Sequence, residues 1–502
     1  MVSVLQTGVG PSRRGALVGQ SEAREVHTPG VRHHIGSIVF GVVVTIVGCV
    51  AGGLSVGFTG GSDAALVYFL IQAFAAALIF RHLAFLLRQD SDIFRPQVVA
   101  VLTYLVFYVV SLPLVAFSDS ALDSVFIEST SPSVNVSRAT KAIIAVTIGW
   151  FGFQLGGPRR SGRDCDMARP PLRVTPLFLL VGAVCVAGGV LANIAITGDI
   201  TKYIAKMPRF FERTSDWETF SSRDGSFVIT QLIRVLPMGV LVLSLGCALY
   251  THASKRGVAI WLTCGAVANL FLSSATGGRG IGLTTFAYSL IVFNAYVRRL
   301  GGLWLTAIGV GVILVGFGLG LARGAAVGGA AVDVDAITSR VTDNKLVVFA
   351  VSYLTNDLRL LQVVDAVEHN GVAWGRTLAD PIVALVEGRP TLTTGMVVQS
   401  TDPSDLRSPG ARYGVLVDAY FNYGYGGVFV MMLLVGLAIR TLEGLYLKWR
   451  STPSVAGGVC IAWASFTANY LVTANVHGLP KYFMLASVPV YVIVLALRHR
   501  KS

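Results

Sequence analysis

Asp418-Ala-Tyr420-Phe-Asn422-Tyr-Gly424-Tyr-Gly426-Gly427 runs directly into Val428-Phe-Val-Met-Met-Leu-Leu-Val-Gly-Leu-Ala-Ile439. Here polar chain turns into membrane-spanning chain, and the fold is read outward from this junction. On its N-terminal side lies Arg323 to Tyr423, the one long segment after Gly36 too polar to sit in a bilayer. This segment carries Arg340, Arg359, Arg376, Arg389, Arg407 and Arg412 among several acids. On either side of it the chain is a succession of apolar runs. A hydrocarbon core needs roughly 20 apolar residues per helix. By that measure spans fall near 35–58, 63–87, 97–117, 139–157, 175–197, 227–250, 257–274, 280–297, 301–322, 424–446, 455–475 and 480–497.

The expected fold class is therefore all-α: a polytopic membrane protein of about twelve transmembrane helices with a large external loop. Composition agrees, with 53% hydrophobic and only 13% charged residues in 502 and a mean hydropathy of +0.66. The expected organisation is a disordered cytoplasmic tail over 1–34, helices 1–9 over 35–322, an external loop over 323–423 and helices 10–12 over 424–502. The apolar run from Ile35 to Phe58 exceeds a signal-peptide core and reads as a helix that stays.

The net charge of +13 fits the positive-inside bias of cytoplasmic loops better than nucleic-acid binding, for which the chain has no folded basic domain. With the N-terminus inside, the inner loops hold Arg88 and Arg95, the cluster Arg159 to Arg173, Lys255 and Arg256, Arg298 and Arg299, and Lys448 and Arg450. The tail adds Arg498, Arg500 and Lys501, so every inner segment is basic. Both termini are thus expected in the cytoplasm and the long loop outside. A second outer segment, Gly198 to Gly225, mixes Tyr203, Met207, Arg209, Phe210, Arg213, Trp217 and Arg223, a composition suited to the headgroup layer.

Within the long loop, Leu346, Phe349, Leu354, Leu358, Leu361 and Val364 recur at helical spacing, with Asn356, Asp357, Arg359, Asp365 and Glu368 on the other face. Asn370-Gly371 is expected to stop that helix. Candidate chemistry clusters at the outer mouth. Arg279, in Gly277-Gly-Arg279-Gly, can hold a diphosphate through paired hydrogen bonds, or only touch lipid headgroups. Arg323 ends a span on the same side. Arg234 lies about two turns inside the sixth span, where an ionised side chain is expected to face a cavity or a structural partner. Asp418 either caps the helix it precedes or takes a proton from an attacking hydroxyl; His369, Asp365 and Glu368 compete with it as bases. There is no phosphate-binding Gly-rich loop, no Cys framework and no His-Glu-x-x-His, so no metal or nucleotide cofactor is expected.

The order of spans, the Gly-Gly-Arg-Gly turn before the eighth, the large loop before the tenth and the Asp-x-Tyr-x-Asn-x-Gly-x-x-Gly entry at Asp418 to Gly427 resemble the O-antigen polymerases, the Wzy-type oligosaccharide repeat-unit polymerases. The resemblance implies a GT-C-like glycosyltransferase of the bacterial cytoplasmic (inner) membrane. Such an enzyme joins polyprenyl-diphosphate-linked oligosaccharides on the outer face without nucleotide or metal, with flippase and chain-length-regulating proteins as partners and no nucleic acid. It implies cationic contacts to the diphosphate, which by position fall on Arg209, Arg213 or Arg223 in the first outer loop and on Arg323, Arg359 or Arg412 in the second, with Arg279 between them; Arg234, singled out by its depth, lies beneath. Three rival readings stand beside it: an O-antigen ligase, which relies on a loop histidine for which His369 is the candidate; a lipid-linked-oligosaccharide flippase; and a structural subunit of an export assembly.

Overall fold

The computed structural model describes residues 63–110, 112, 132–157, 176–207, 227–251, 254–274, 279–301, 304, 357–379, 414–450 and 454–474. These residues are helical, with short turns and no strand among them. In chain order the helices are α1 (Asp63–Gln89), α2 (Pro96–Tyr104, continued as a π-helical turn over Leu105–Val110), α3 (Pro132–Gly156), α4 (Pro176–Thr197), the short α5 (Ile200–Lys206) and α6 (Phe227–Tyr250). There follow α7 (Lys255–Ser274), α8 (Arg279–Tyr296), α9 (Asp357–Asn370), α10 (Val415–Trp449) and α11 (Val455–Thr473). Among the described residues seven of them, α1, α3, α4, α6, α7, α10 and α11, are long and apolar enough to cross a membrane. The spans expected at 35–58, 301–322 and 480–497 lie outside the described residues, positions 301 and 304 apart.

α3 and α10 run parallel to each other, α4 and α6 antiparallel, and the assembly has two ends. We call them the Asp92 end and the Asp365 end after the acids that dominate them. The helices meet as α4 with α6, α3 with α10, α6 with α7, α7 with α8, and α11 with both α10 and α2. Between membrane helices little hydrophobic drive is available, so close approach of small residues supplies the packing. The α3–α10 contact shows this: a Cβ added at Gly152, Gly156 or Gly436 would run into the carbonyl oxygens of Phe429, Leu433 and Phe153 respectively. Buried aromatics complete the core. Tyr104 donates its hydroxyl to Val146 O at 2.6 Å and Tyr108 to Val472 O at 2.9 Å, each paying off a backbone acceptor inside the bundle.

The helix carrying the motif begins at Val415, ahead of the position expected from hydropathy. Asp418, Tyr420 and Asn422 are therefore helical residues. Its 35 residues reach about 52 Å at 1.5 Å per residue, well beyond a bilayer core. At Gly424 the helix is interrupted, with φ 61° and ψ −149°, a conformation open only to glycine. α5 lies across the end of α7, where Tyr203 donates to Leu272 O at 2.8 Å. Tyr203 is buried there, and burial pushes its phenol up to about 12. Ile200 and Ile204 are the exposed large apolar side chains of α5.

The Asp92 end is closed by ion pairs between distant parts of the chain. Glu443 of α10, 3% exposed, accepts from Arg95 Nε at 2.6 Å and from Gln97 N at 3.1 Å. Asp92, 4% exposed, accepts from Tyr446 at 2.7 Å, Asn294 Nδ2 at 2.9 Å and Phe94 N at 3.1 Å. Asp90 pairs with Arg450, and with Arg299 at 3.3 Å. Arg95, Arg299 and Arg450, which the sequence offers as topology charges, thus also tie α2, α8 and α10 together.

Candidate functional site

The Asp365 end is built from the beginnings of α3 and α10, from α9, and from the turn over 371–379. α9 is the helix that periodicity predicts in the long polar segment, and it stops where expected. Gly371 takes φ 74° and donates to Val367 O at 2.9 Å, a left-handed C-terminal cap. Its buried face is Leu360, Leu361, Val363 and Val364; the part of the predicted helix before Asp357 lies outside the described residues.

α9 docks through charge as well as apolar surface. Arg138 of α3, 6% exposed, pairs through Nη2 with Asp365, and its Nε lies 3.9 Å from Glu368. Lys141, one turn further along α3, pairs with the same Glu368. The two cations and two acids balance, so this seam fastens α9 to α3 and does not by itself attract an anion. His369 is the outermost member. Its side chain is 67% exposed, and Nδ1 sits 2.9 Å from the Asp365 carbonyl and 3.3 Å from the Asp365 carboxylate, within its own helix.

After α9 the chain folds back onto α10. Ala373 N–H donates to Phe421 O at 2.9 Å. Asn422, fully buried, donates from Nδ2 to Thr377 Oγ1 at 2.7 Å and to Asp418 O at 2.8 Å, and accepts from Thr377 N at 3.3 Å. Gly375, at φ 80°, lies beneath the Tyr423 hydroxyl, where a Cβ has no room. The Asn and the first Gly of the motif therefore have separate physical jobs: Asn422 ties the turn to α10, and Gly424 lets the helix break just beyond.

Asp418 does not cap α10. The N-cap is Gly414, and the Asp418 amide is already bonded to Gly414 O at 3.0 Å. Its carboxylate is enclosed, at 1% exposure, one turn before the buried Asn422. Close by, the Tyr420 and Tyr425 rings meet edge to face at 5.2 Å, and the Tyr425 hydroxyl reaches Lys141 O at 3.5 Å.

The other predicted residues divide by position. Arg279 is the first residue of α8, at the Asp365 end, and Gly277 and Gly278 lie outside the described residues; the Arg279 side chain, like that of Arg359 in the first turn of α9, lies outside the described side chains. Arg323 and Arg412 lie outside the described residues. Arg234 sits on α6 but is exposed, without the enclosing cavity or partner expected at its depth among the described residues. Neighbouring Leu232 is also exposed, and the stem of an arginine there can run along apolar surface toward the helix end. Among the described residues no three His, Cys, Asp or Glu converge as a metal site. Sequence reasoning missed Arg138 and Lys141, although two cations within one turn at the outer start of a span run against the positive-inside pattern. Compared with protein families, characterised proteins and solved structures, the chain finds no match.

Proposed function

We propose that the protein is a GT-C-like membrane glycosyltransferase of about twelve spans, with both termini cytoplasmic. In this reading it polymerises polyprenyl-diphosphate-linked oligosaccharides into a surface polysaccharide on the outer face of the bacterial cytoplasmic membrane. The observation that carries the reading is the union of the two features behind the resemblance. The Asp418-to-Gly427 motif and the long polar segment are joined through Asn422–Thr377 and Ala373–Phe421, around an enclosed carboxylate at the end of a membrane helix.

In the proposed reaction a hydroxyl of the incoming lipid-linked unit attacks the anomeric carbon of the growing chain. Asp418 takes the hydroxyl proton as the new C–O bond forms, and the bond to the carrier diphosphate breaks. The departing diphosphate needs no proton, and cations at the helix mouths stabilise its charge. Arg279, Arg323, Arg359 and Arg412 carry that role. Arg234, exposed on α6, is proposed to meet the carrier's charged group from the lipid side. His369 is the weaker base, because it faces solvent and engages Asp365 of its own helix. This also favours polymerase over ligase, whose chemistry relies on a loop histidine.

The test is purified protein in nanodiscs given lipid-diphosphate-linked repeat units, with products separated by size. Chain growth is expected, and Asp418→Asn is expected to abolish it while His369→Ala does not. Arg279→Ala and Arg323→Ala should lose growth while still inserting. Transfer to a different acceptor would establish the ligase reading, and movement of the lipid without new bonds the flippase reading; either result sinks the polymerase.

A further inference from the structure

We propose that Trp374 is a stacking platform for a sugar ring of the glycan, an inference that rests on the glycosyltransferase reading for its choice of ligand. Trp374 has φ 49°, and it is the non-glycine residue with positive φ among the described residues. For so bulky a side chain this is an outlier, and such strain persists only where the surroundings over-determine it. Here they do. The turn is pinned by Ala373 N to Phe421 O at 2.9 Å, by Arg376 N to Ala373 O at 3.0 Å and by the Thr377–Asn422 pair, while Gly371 and Gly375 supply the other left-handed positions.

The indole gains no packing in return. At 80% exposure it is more open than any other large apolar side chain described. A fold that holds a tryptophan in a disfavoured conformation and leaves it bare is presenting it. The surroundings indicate to what. The lipid-facing surfaces of this protein carry companies of exposed apolar residues, such as Leu180, Val184 and Leu191 on α4. Among the described side chains of 360–379 Trp374 is the sole exposed large apolar one, and its sequence neighbours His369, Asn370 and Arg376 are exposed and polar. A bare aromatic face in a polar stretch of chain suits a pyranose, which has an apolar C–H face and a hydroxyl edge. The backbone bonds to Phe421 and Asn422 fix the platform relative to Asp418 on the same helix, so a ring stacked there is held in register with the base.

The experiment uses the full chain in nanodiscs and reads the Trp374 fluorescence as the difference between wild type and Trp374→Phe. The probes are oligosaccharides released by mild acid from the source cells' own surface polysaccharide and, separately, nanodiscs made with brominated phosphatidylcholine. The saccharide is expected to shift the difference signal saturably, and brominated lipid to leave it unquenched. With affinity read by calorimetry on the same saccharide, Trp374→Gly should weaken binding roughly ten-fold, with its melting temperature held or raised because glycine accepts this φ freely. Trp374→Tyr should keep most of the affinity. No saccharide response, or quenching by brominated lipid, overturns the proposal, as does a melting temperature that falls in Trp374→Gly, which makes the indole structural. Saccharide binding without chain growth would remove the polymerase and leave the platform standing.

Discussion

The two ends of the helix bundle solve the problem of buried charge in opposite ways. At the Asp92 end, each described acid is closed in by cations or hydroxyl and amide donors: Glu443 by Arg95, Asp92 by Tyr446 and Asn294, Asp90 by Arg450 and Arg299. At the Asp365 end the pairs are part-exposed, the helix carrying the motif breaks at Gly424, and Trp374 stands strained and bare. The first arrangement fixes how the helices sit. The second holds part of a polar segment against the start of α10 while leaving His369 and Trp374 exposed. Functional regions are drawn from the less stable parts of a structure, because a fully satisfied one has nothing left to bind with.

The contrast breaks most readily at Glu443. Removing one partner of a buried pair leaves the other charge without compensation, so Glu443→Ala or Arg95→Ala should cost about 3–5 kcal/mol, seen as a large drop in melting temperature in detergent. Replacing both by apolar residues of similar size, Arg95→Met with Glu443→Leu, should recover most of that loss; failure to recover would show that the pair specifies the arrangement and does more than neutralise itself. A step smaller is Gly436→Ala, whose new methyl meets Phe153 O. Forcing α3 and α10 apart should cost about 1–3 kcal/mol. At the other end, Asn422→Ala strands the buried Thr377 donors and should cost about 1–3 kcal/mol. Its diagnostic effect is local: hydrogen exchange should rise across 371–379 while the Asp92 end stays protected. Uniform loss of protection would mean that the two ends are one cooperative unit.

Much of the bundle was legible because hydropathy needs only composition within a window, and α1, α3, α4, α6, α7 and α11 follow the apolar runs closely, while α10 covers its run and starts earlier. The end of α9 was legible because Asn370-Gly371 is a local signal. What escaped was pairing at a distance. Arg95 reads as a topology charge until Glu443, 348 residues away, is placed beside it. Arg138 and Asp365 are likewise unrelated by any periodicity. The left-handed state of Trp374 escaped too, since tryptophan gives no hint of it and only the flanking glycines mark a turn. Asp418 was flagged as a base or a cap; the start of α10 at Val415 removes the cap, which no rule based on the polar-to-apolar boundary foresees.

Acidification gives the smallest effect and sharpens the comparison most. Burial alone would raise the Asp90 carboxyl, but the hydrogen bond and charge of Arg450, followed by Arg299 and Arg95, outweigh it and hold the group below its usual value. A depressed carboxylate contributes stability that is present above its unfolded value, about 3.9, and lost as the pH falls through the folded one. The melting temperature should therefore be flat through neutral pH and decline below about pH 4, and Asp90→Asn should start lower and decline less. Arg299→Ala, whose side chain is 60% exposed, should cost no more than about 1 kcal/mol near neutrality; by raising the folded value of Asp90 it should leave the onset in place, make the decline smaller and end it at a higher pH. If Arg299→Ala instead matches Glu443→Ala in cost, the Asp92 end is a single network in which exposed and buried pairs act together.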